Sequence, residues 1–528
     1  MVTYGVVNVH EKGSAAGGAS LISCLPRHLV GMHLLGIDVG TGGTRALVMD
    51  ATGAVVASET EDHRAFASPQ IGWAEQVPED WWRACGVAVR KVLAKNHLSA
   101  EEIACVGLSG QMHGAVLLDD AARVVRPALI WCDVRTEKQS RDLTAKIGIG
   151  ELIKLTCNPA LTNFTLTKCL WVRENEPDNW GRVRSVMLPK DYVRLELTGE
   201  RATDVADASG TLLLDVANRR WSKEMLDRVE MKESLLPALY ESPEICGRIS
   251  AAGAAATGLK PGTPVVAGAG DQAAGSIGMG VVSAGTVSAT IGTSGVVLAA
   301  TDRPALDPGG RLHTFCHSVP GRWIVMGVTQ AAGLSLRWFR DQFGLGTGGQ
   351  LESYPSLMDE AAKAPAGCDG LLWAPYLMGE RTPHLDPAAR AMLAGLTASH
   401  TRSHVIRAIL EGVAFSLRDT FTIFKEINVP VETIRLGGGG ARAALWRQIQ
   451  ADVYRQEVET VEAEEGAAYG AAILAGVGVK VWPSVDAACD AAVRVSDSVR
   501  PNIEALLVME KAYSVYRRMY PAMKSILN

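Results

Sequence analysis

Short apolar runs ending on glycine recur along the chain, and two of them share one plan. Leu34-Leu-Gly-Ile-Asp-Val39 leads into Gly40-Thr-Gly-Gly-Thr44 and then into a second apolar run, Ala46-Leu-Val-Met49. Far downstream, Thr286-Val-Ser-Ala-Thr-Ile291 leads into Gly292-Thr-Ser-Gly295 and Val296-Val-Leu298. Apolar runs joined by a glycine turn predict β-hairpins. Ala51-Thr-Gly53 turns the first hairpin into a third strand, Val55 to Thr60, which makes an antiparallel meander. Pro264-Val-Val-Ala-Gly-Ala-Gly-Asp271 and Thr433-Ile-Arg-Leu-Gly-Gly-Gly-Gly440 are each a β-run entering a glycine turn that opens a helix. This weak internal repeat predicts two related α/β domains facing each other across a nucleotide.

The remaining periodicity fills in the elements between. Pro78-Glu-Asp80 starts a helix, with Pro in its first turn and acids at the positive end of the dipole. Trp82, Cys85, Val89 and Leu93 keep helical spacing along it. Ile103 to Leu108 is a buried strand, and residues 140 to 262 are mixed and largely helical, with Trp171, Trp180 and Trp221 as core anchors. Val405, Ile409, Val413 and Leu417 form the core stripe of a helix from His404 to Asp419. Phe343 to Gly349 is a flexible loop.

At 528 residues, 47% hydrophobic and 21% charged, the chain suits two large globular domains. Lys+Arg of 52 against Asp+Glu of 57 leaves a net charge of −5 with no basic block, which gives no support to a nucleic-acid or membrane-surface role. The ten cysteines are scattered without metal-ligand spacing, as reduced thiols of a cytoplasmic protein would be. No apolar run reaches the roughly 18 residues of a membrane span. Residues 1 to 31 are expected to be a disordered extension or a start-site artefact, with Met32 as the initiator.

The hairpin tips carry the candidate chemistry. Glycines permit positive φ and close approach of a ligand to the peptide plane, so that amide N–H groups converge on an anion. Thr41 and Thr44 add hydroxyls, Arg45 adds charge, and Asp38 can reach a hydrated divalent cation. A single such turn is equally an ordinary tight hairpin; the second copy favours a triphosphate with its magnesium. Gly437-Gly-Gly-Gly440 before a helix can admit an adenine ribose and α-phosphate. Neither a P-loop order nor a clear Rossmann fingerprint is present.

Asp271 stands where a buried strand hands over to a helix, so its carboxylate is expected to be fixed and ionised, as an N-cap, a base, or both. Gln111 and His113 leave a strand on a glycine-flanked loop that can meet a polyhydroxylated ligand. Trp131 beside Asp133 is a sugar-holding pattern, although Asp133 with Arg135 is equally a surface pair. Asp204 and Asp207 suit helix capping better than cation binding.

Taken together, Gly36-Ile-Asp-Val-Gly-Thr41, Trp73-Ala-Glu-Gln76, Gln111-Met-His-Gly114, Leu188-Pro-Lys-Asp-Tyr192, Gly270-Asp-Gln-Ala-Ala-Gly275, Gly292-Thr-Ser-Gly295, Gly379-Glu-Arg-Thr-Pro-His384 and Gly437-Gly-Gly-Gly-Ala441 resemble the FGGY carbohydrate kinases from residue 33 to about residue 520. The resemblance implies an α/β protein of two RNase H-like (actin-like ATPase) domains with a nucleotide cleft between them. A sugar-binding domain would span residues 32–280 and a nucleotide-binding domain residues 281–520. It implies ATP, Mg²⁺ and D-xylulose as reactants and D-xylulose 5-phosphate as product, with a homodimer as a possible assembly. Asp271 matches the family's base, and Asp38 the acid that holds the metal through water, with Asp271 near it. Thr41, Gly42, Gly43 and Thr44, with Gly292, Thr293 and Ser294, match the phosphate hairpins, and Gly437, Gly438, Gly439 and Gly440 the nucleotide-side turn. Met112 and His113 match the sugar loop, with Gln111, Trp131, Asp133 and Gln272 on the same side.

Arg45, Cys132 and Gln272 depart from the common pattern, which bears on the choice of sugar more than on the reaction. Related kinases of ribulose, gluconate or glycerol are the alternatives, followed by a nucleotide-switched binding protein on the same scaffold. The lack of an obvious basic cluster beside Gln111-Met-His-Gly114 favours a neutral ketose over a sugar acid.

Overall fold

The computed structural model describes residues 31–344, 350–463 and 466–527. The expected N-terminal extension lies outside these residues up to position 30, as does most of the expected loop after Phe343.

The first hairpin forms as expected, from β1 (His33–Val39) and β2 (Gly43–Asp50), and β3 (Val55–Asp62) completes the meander. The helix α1 (Pro78–Lys95) follows, burying Trp81 rather than Trp82 together with Cys85, Val89 and Leu93. β4 (Ile103–Gly110) runs parallel to β1. After a mixed insertion that includes α2 (Pro189–Thr198), β5 (Ile245–Arg248) and β6 (Pro264–Val266) finish a sheet ordered β5-β6-β4-β1-β2-β3. Residues Ala269–Gly270 also pair with β4 and lead directly into α3 (Asp271–Gly278). Trp171, Trp180 and Trp221 are partly buried at the edge of the core rather than central to it.

The second half repeats this plan. β7 (Gly285–Ile291), β8 (Gly295–Thr301), β9 (His313–Cys316) and β10 (Trp323–Thr329) are antiparallel, and β11 (Val431–Gly438) returns parallel to β7. β12 (Val458–Val461) is parallel to β11, and β13 (Val495–Val499) is antiparallel to β12. The order β9-β10-β8-β7-β11-β12-β13 matches the first sheet in strand position and direction, with β9 added at the edge. However, β13 follows β12 in the chain whereas β5 precedes β6, and the Thr433 run takes the place of β4, not of the Pro264 run with which the sequence paired it. Its helices include α4 (Gly333–Phe343), α5 (Arg402–Glu426) and α6 (Ala444–Tyr454). On α5, Ile409, Val413 and Leu417 are buried as their spacing predicts.

One element of the second half crosses over. The Gly- and Ala-rich α7 (Gly466–Gly478) lies on the first sheet, and small residues are what allow it so close. A Cβ at Gly36 or Gly107 would stand 2.0 Å from the carbonyl oxygen of Ala468 or Ala471. On its other side α7 meets α3, where a Cβ at Gly470 would stand 1.9 Å from the Ala274 carbonyl. The helix that begins with Asp271 is thus clamped from below. Among the described residues no helix is long and apolar enough to cross a membrane.

Candidate active site

Two connected cavities open between the halves. The larger, of about 650 Å³, is lined by Asp38 at the end of β1, Thr290 of β7, Gly437 and Gly438 of β11, and Arg442. The smaller, of about 170 Å³, takes Met112, His113, Trp131 and Asn163 from the first half, and Ser294, His313 and Arg381 from the second. Asp271 and Gln272 line both. Among the described residues, the only carboxylate shared by the two chambers is therefore that of Asp271.

The local structure explains how Asp271 is presented. It is the first residue of α3, with Gly270 in the cap position and no side-chain cap, so the expected N-cap role is not realised. The expectation that it is fully ionised at neutral pH is also corrected. Burial, and then the nearby negative charge of Asp38, raise its pKa to about 7. Asp38 is raised too, by burial, against the lowering influence of the nearby Ser109 hydroxyl and of the charge of Arg45. Its Oδ1 is buried without a hydrogen-bond partner. Two buried carboxylates that repel each other, one with an orphaned oxygen, are a hard-oxygen donor set of the kind Mg²⁺ takes.

The hairpin tips differ in detail from the sequence reading. Gly40, Gly42 and Gly43 do not use the left-handed region. What excludes a side chain at Gly43 is space, since a Cβ there would stand 2.8 Å from the Glu61 carbonyl. Gly42, Gly292 and Thr293 are exposed at the two tips. Thr44 is buried, its hydroxyl 2.8 Å from His63 Nε2, and so faces away from a ligand. Thr41 is held from three sides: Trp131 Nε1 donates to its hydroxyl at 2.9 Å, Gln76 Nε2 donates to its carbonyl at 2.8 Å, and its hydroxyl faces Gln111 Oε1 at 3.5 Å. Gly437 and Gly438 end β11, whereas Gly439 and Gly440 form a short 3₁₀ turn packed on Ile291 and do not line the large cavity.

On the sugar side, Met112, His113, Trp131 and Gln272 line the small chamber, but Gln111 and Asp133 do not. Gln111 is buried beneath the first hairpin, donating to Gln76 Oε1 at 2.9 Å. Asp133 is fully buried, accepting from Ala74 N at 2.7 Å and paired with Arg135. Arg135 itself lies 3.6 Å from the Trp73 ring centroid. The surface pair is a buried brace. His113 has φ 67 and its Nδ1 lies 2.9 Å from the Gly210 carbonyl. Burial depresses its pKa to about 3, so the ring is neutral, with the proton on Nδ1 and an acceptor at Nε2.

Several residues were not singled out from sequence. Buried Lys168, its pKa lowered by burial to about 7, donates to the main-chain carbonyls of His113 at 2.8 Å and Asn163 at 2.6 Å. It fixes two walls of the small chamber at once. Arg381 supplies the basic group that the loop at Gln111 to Gly114 lacked; its segment, Gly379-Glu-Arg-Thr-Pro-His384, entered the resemblance without a role for the arginine. Below α3, Lys190 sits among Asp191, Asp204 and Asp207 at 2.5, 2.6 and 3.3 Å, so an ammonium fills the centre of that acidic group. Asp204 caps the helix Val205–Ala208 as expected, and Asp207 does not.

Comparison with known proteins agrees with this architecture. Residues 33–278 match the N-terminal domain, and residues 287–479 the C-terminal domain, of the FGGY family of carbohydrate kinases. The chain is 37% identical over 494 residues to the xylulose kinase of Bacillus subtilis, covering 94% of this chain and 98% of that one. It is 39% identical over 444 residues to the xylulose kinase of Escherichia coli K12, covering 84% and 89%. The crystal structure of xylulose kinase from Rhodospirillum rubrum superposes with a TM-score of 0.86 at 28% identity, over 94% of this chain and 99% of that one. With two actin-like domains, a cleft between them and matches across both halves, this chain belongs to the FGGY family of carbohydrate kinases.

Proposed function

We propose that this enzyme transfers the γ-phosphoryl group of ATP to the 5-hydroxyl of D-xylulose, giving D-xylulose 5-phosphate and ADP. The observation that carries the reading is the position of Asp271, shared between a nucleotide-sized cleft and a sugar-sized chamber. The names of the relatives support the choice of sugar.

Asp271 orients the acceptor hydroxyl and takes its proton. With a pKa of about 7 it is a stronger base than an ordinary carboxylate, and about half of it is ionised at neutral pH. In a loose phosphoryl transition state the proton leaves late, so positioning matters more than basicity. The exposed tips at Gly42 and at Gly292 and Thr293 present main-chain amides to the phosphates from opposite halves. Gly437 and Gly438 leave room for the nucleoside. Asp38, through water, would hold Mg²⁺, with Asp271 close by, and the cation would supply charge neutralisation at the phosphates. Trp131 and His113 orient the sugar, and the small chamber excludes water that would otherwise accept the phosphoryl group.

The cation Arg381 in the sugar chamber favours one second reading, a sugar-acid kinase. ADP release measured with Mg·ATP across D-xylulose, L-xylulose, D-ribulose, L-ribulose, gluconate and glycerol separates the two. D-xylulose is expected to give the highest kcat/KM; a preference for gluconate overturns the reading.

A further inference from the structure

The proposed substrate constrains the small chamber through its own chemistry. A 2-ketopentose closes its furanose ring through the 5-hydroxyl, the oxygen that is phosphorylated. The acceptor therefore reacts as the open chain, with a free carbonyl at C2. With the 5-hydroxyl at Asp271, that carbonyl lies further into the chamber and needs a donor.

Two of the donors there are already engaged. His113 Nδ1 faces the Gly210 carbonyl, and Trp131 Nε1 donates to Thr41. The guanidinium of Arg381 is different. It is half-buried, is the one cation lining the chamber, and has no side-chain acceptor or ion-pair partner among the described residues. Its neighbour Glu380 does not neutralise it by contact: the two carboxylate oxygens accept from Thr329 Oγ1 at 2.8 Å, Gln330 N at 3.0 Å and the main-chain N of Arg381 at 2.7 Å. Beside it in the same chamber, Asn163 Oδ1 and His313 Nδ1 are buried without a hydrogen-bond partner. Buried polar atoms left unmatched in the free protein are costly, and they mark where a ligand's polar groups go.

Resting on the ketose-kinase reading above, we infer that Arg381 is a specificity-determining residue that donates to the carbonyl oxygen of the open-chain ketose, while Asn163 Oδ1 accepts from a neighbouring hydroxyl. Arg381 comes from the second half of the chain and Asp271 from the first, so the two ends of one sugar are read by different halves. Asn163 is held for this task by Lys168 through its main-chain carbonyl.

The test compares D-xylulose with xylitol, the same carbon chain without the carbonyl, on wild type, Arg381→Met, Arg381→Gln and Arg381→Lys. Arg381→Met is expected to lower kcat/KM for the ketose by about 10- to 100-fold, the range of a hydrogen bond from a charged donor, and to change the alditol by less than about 3-fold. Arg381→Lys recovers most of the loss. Thermal unfolding and ADP affinity are measured alongside; if Arg381→Met does not fold, the ketose-to-alditol ratio of Arg381→Gln decides by the same criterion. Equal losses on both acceptors, or no loss on the ketose, overturn the assignment of Arg381 while leaving the ketose kinase intact. Wild-type turnover on gluconate and none on D-xylulose overturns the ketose reading and this inference with it.

Discussion

The two glycine hairpins occupy equivalent places in duplicated sheets, yet they are held in different ways. In the first, side chains from the sugar side grip Thr41: Trp131, which lines the sugar chamber, together with Gln76 and Gln111. In the second, main-chain amides at the start of α4 hold the tip, with Gly333 N donating to the Gly292 carbonyl at 2.9 Å and Leu334 N to the Thr293 carbonyl at 3.1 Å. Two residues before the turn, the first half has Asp38 and the second has Thr290, and both line the large cleft. Duplication kept the scaffold and divided the chemistry. The first half carries the acids and couples its hairpin to the sugar loops, whereas the second presents a neutral hairpin fixed by its own helix.

The contrast breaks most severely at Asp271. Asp271→Asn is expected to lower kcat by roughly 10²- to 10⁴-fold, with ADP affinity nearly unchanged, as steady-state kinetics and calorimetry would show. Next comes the Asp38/Thr290 pair. Asp38→Asn should cost roughly 10²-fold and raise the Mg²⁺ concentration needed for half-maximal rate, because it removes a fixed charge at the phosphates. Thr290→Val, at the matching place, should change kcat only a few-fold; equal effects at both positions would erase the proposed division.

A smaller effect sharpens the coupling. Trp131→Phe keeps an aromatic wall but loses the N–H that Thr41 accepts, so kcat/KM for the sugar should fall by about 2- to 10-fold, the worth of one ordinary hydrogen bond. A fall in nucleotide affinity as well would show that the first hairpin's position is transmitted to ATP.

The pH dependence carries a sign that can be worked out. Protonated Asp271 cannot accept a proton, so kcat/KM should rise through about pH 7 to a plateau, with the midpoint moving down as Mg²⁺ relieves the repulsion from Asp38. The same elevated pKa means that the folded state keeps a proton the unfolded chain releases above about 3.8, so this group's contribution to stability is lost as pH rises from about 4 to about 7. Asp271→Asn should therefore melt higher than wild type at pH 8 and not at pH 4, as calorimetric scans would register.

Much of this was legible because it is local. Glycine turns between apolar runs define the hairpins, the repeat defines the two halves, and the hand-over at Gly270-Asp271 marks the helix start. What was misread depends on tertiary neighbours. Gln111 and Asp133 stand at loop positions that could face a ligand, but the first turns beneath the hairpin and the second braces Arg135. The elevated pKa of Asp271 comes from burial and then from Asp38, more than two hundred residues away in the chain, and both need the tertiary fold. Asn163, His313 and Arg381 meet only because the two halves close on one chamber, which no periodicity records.

The central claim is that acceptor and donor meet at Asp271, where the two chambers join. The most direct measurement is a crystal structure of the complex with Mg²⁺, a non-hydrolysable ATP analogue and D-xylulose. The account predicts an open-chain sugar whose 5-hydroxyl lies within about 2.6–3.2 Å of the Asp271 carboxylate and faces the γ-phosphoryl group. A sugar bound with another hydroxyl at Asp271, or a nucleotide seated outside the cleft between Asp38 and Gly437, would contradict it.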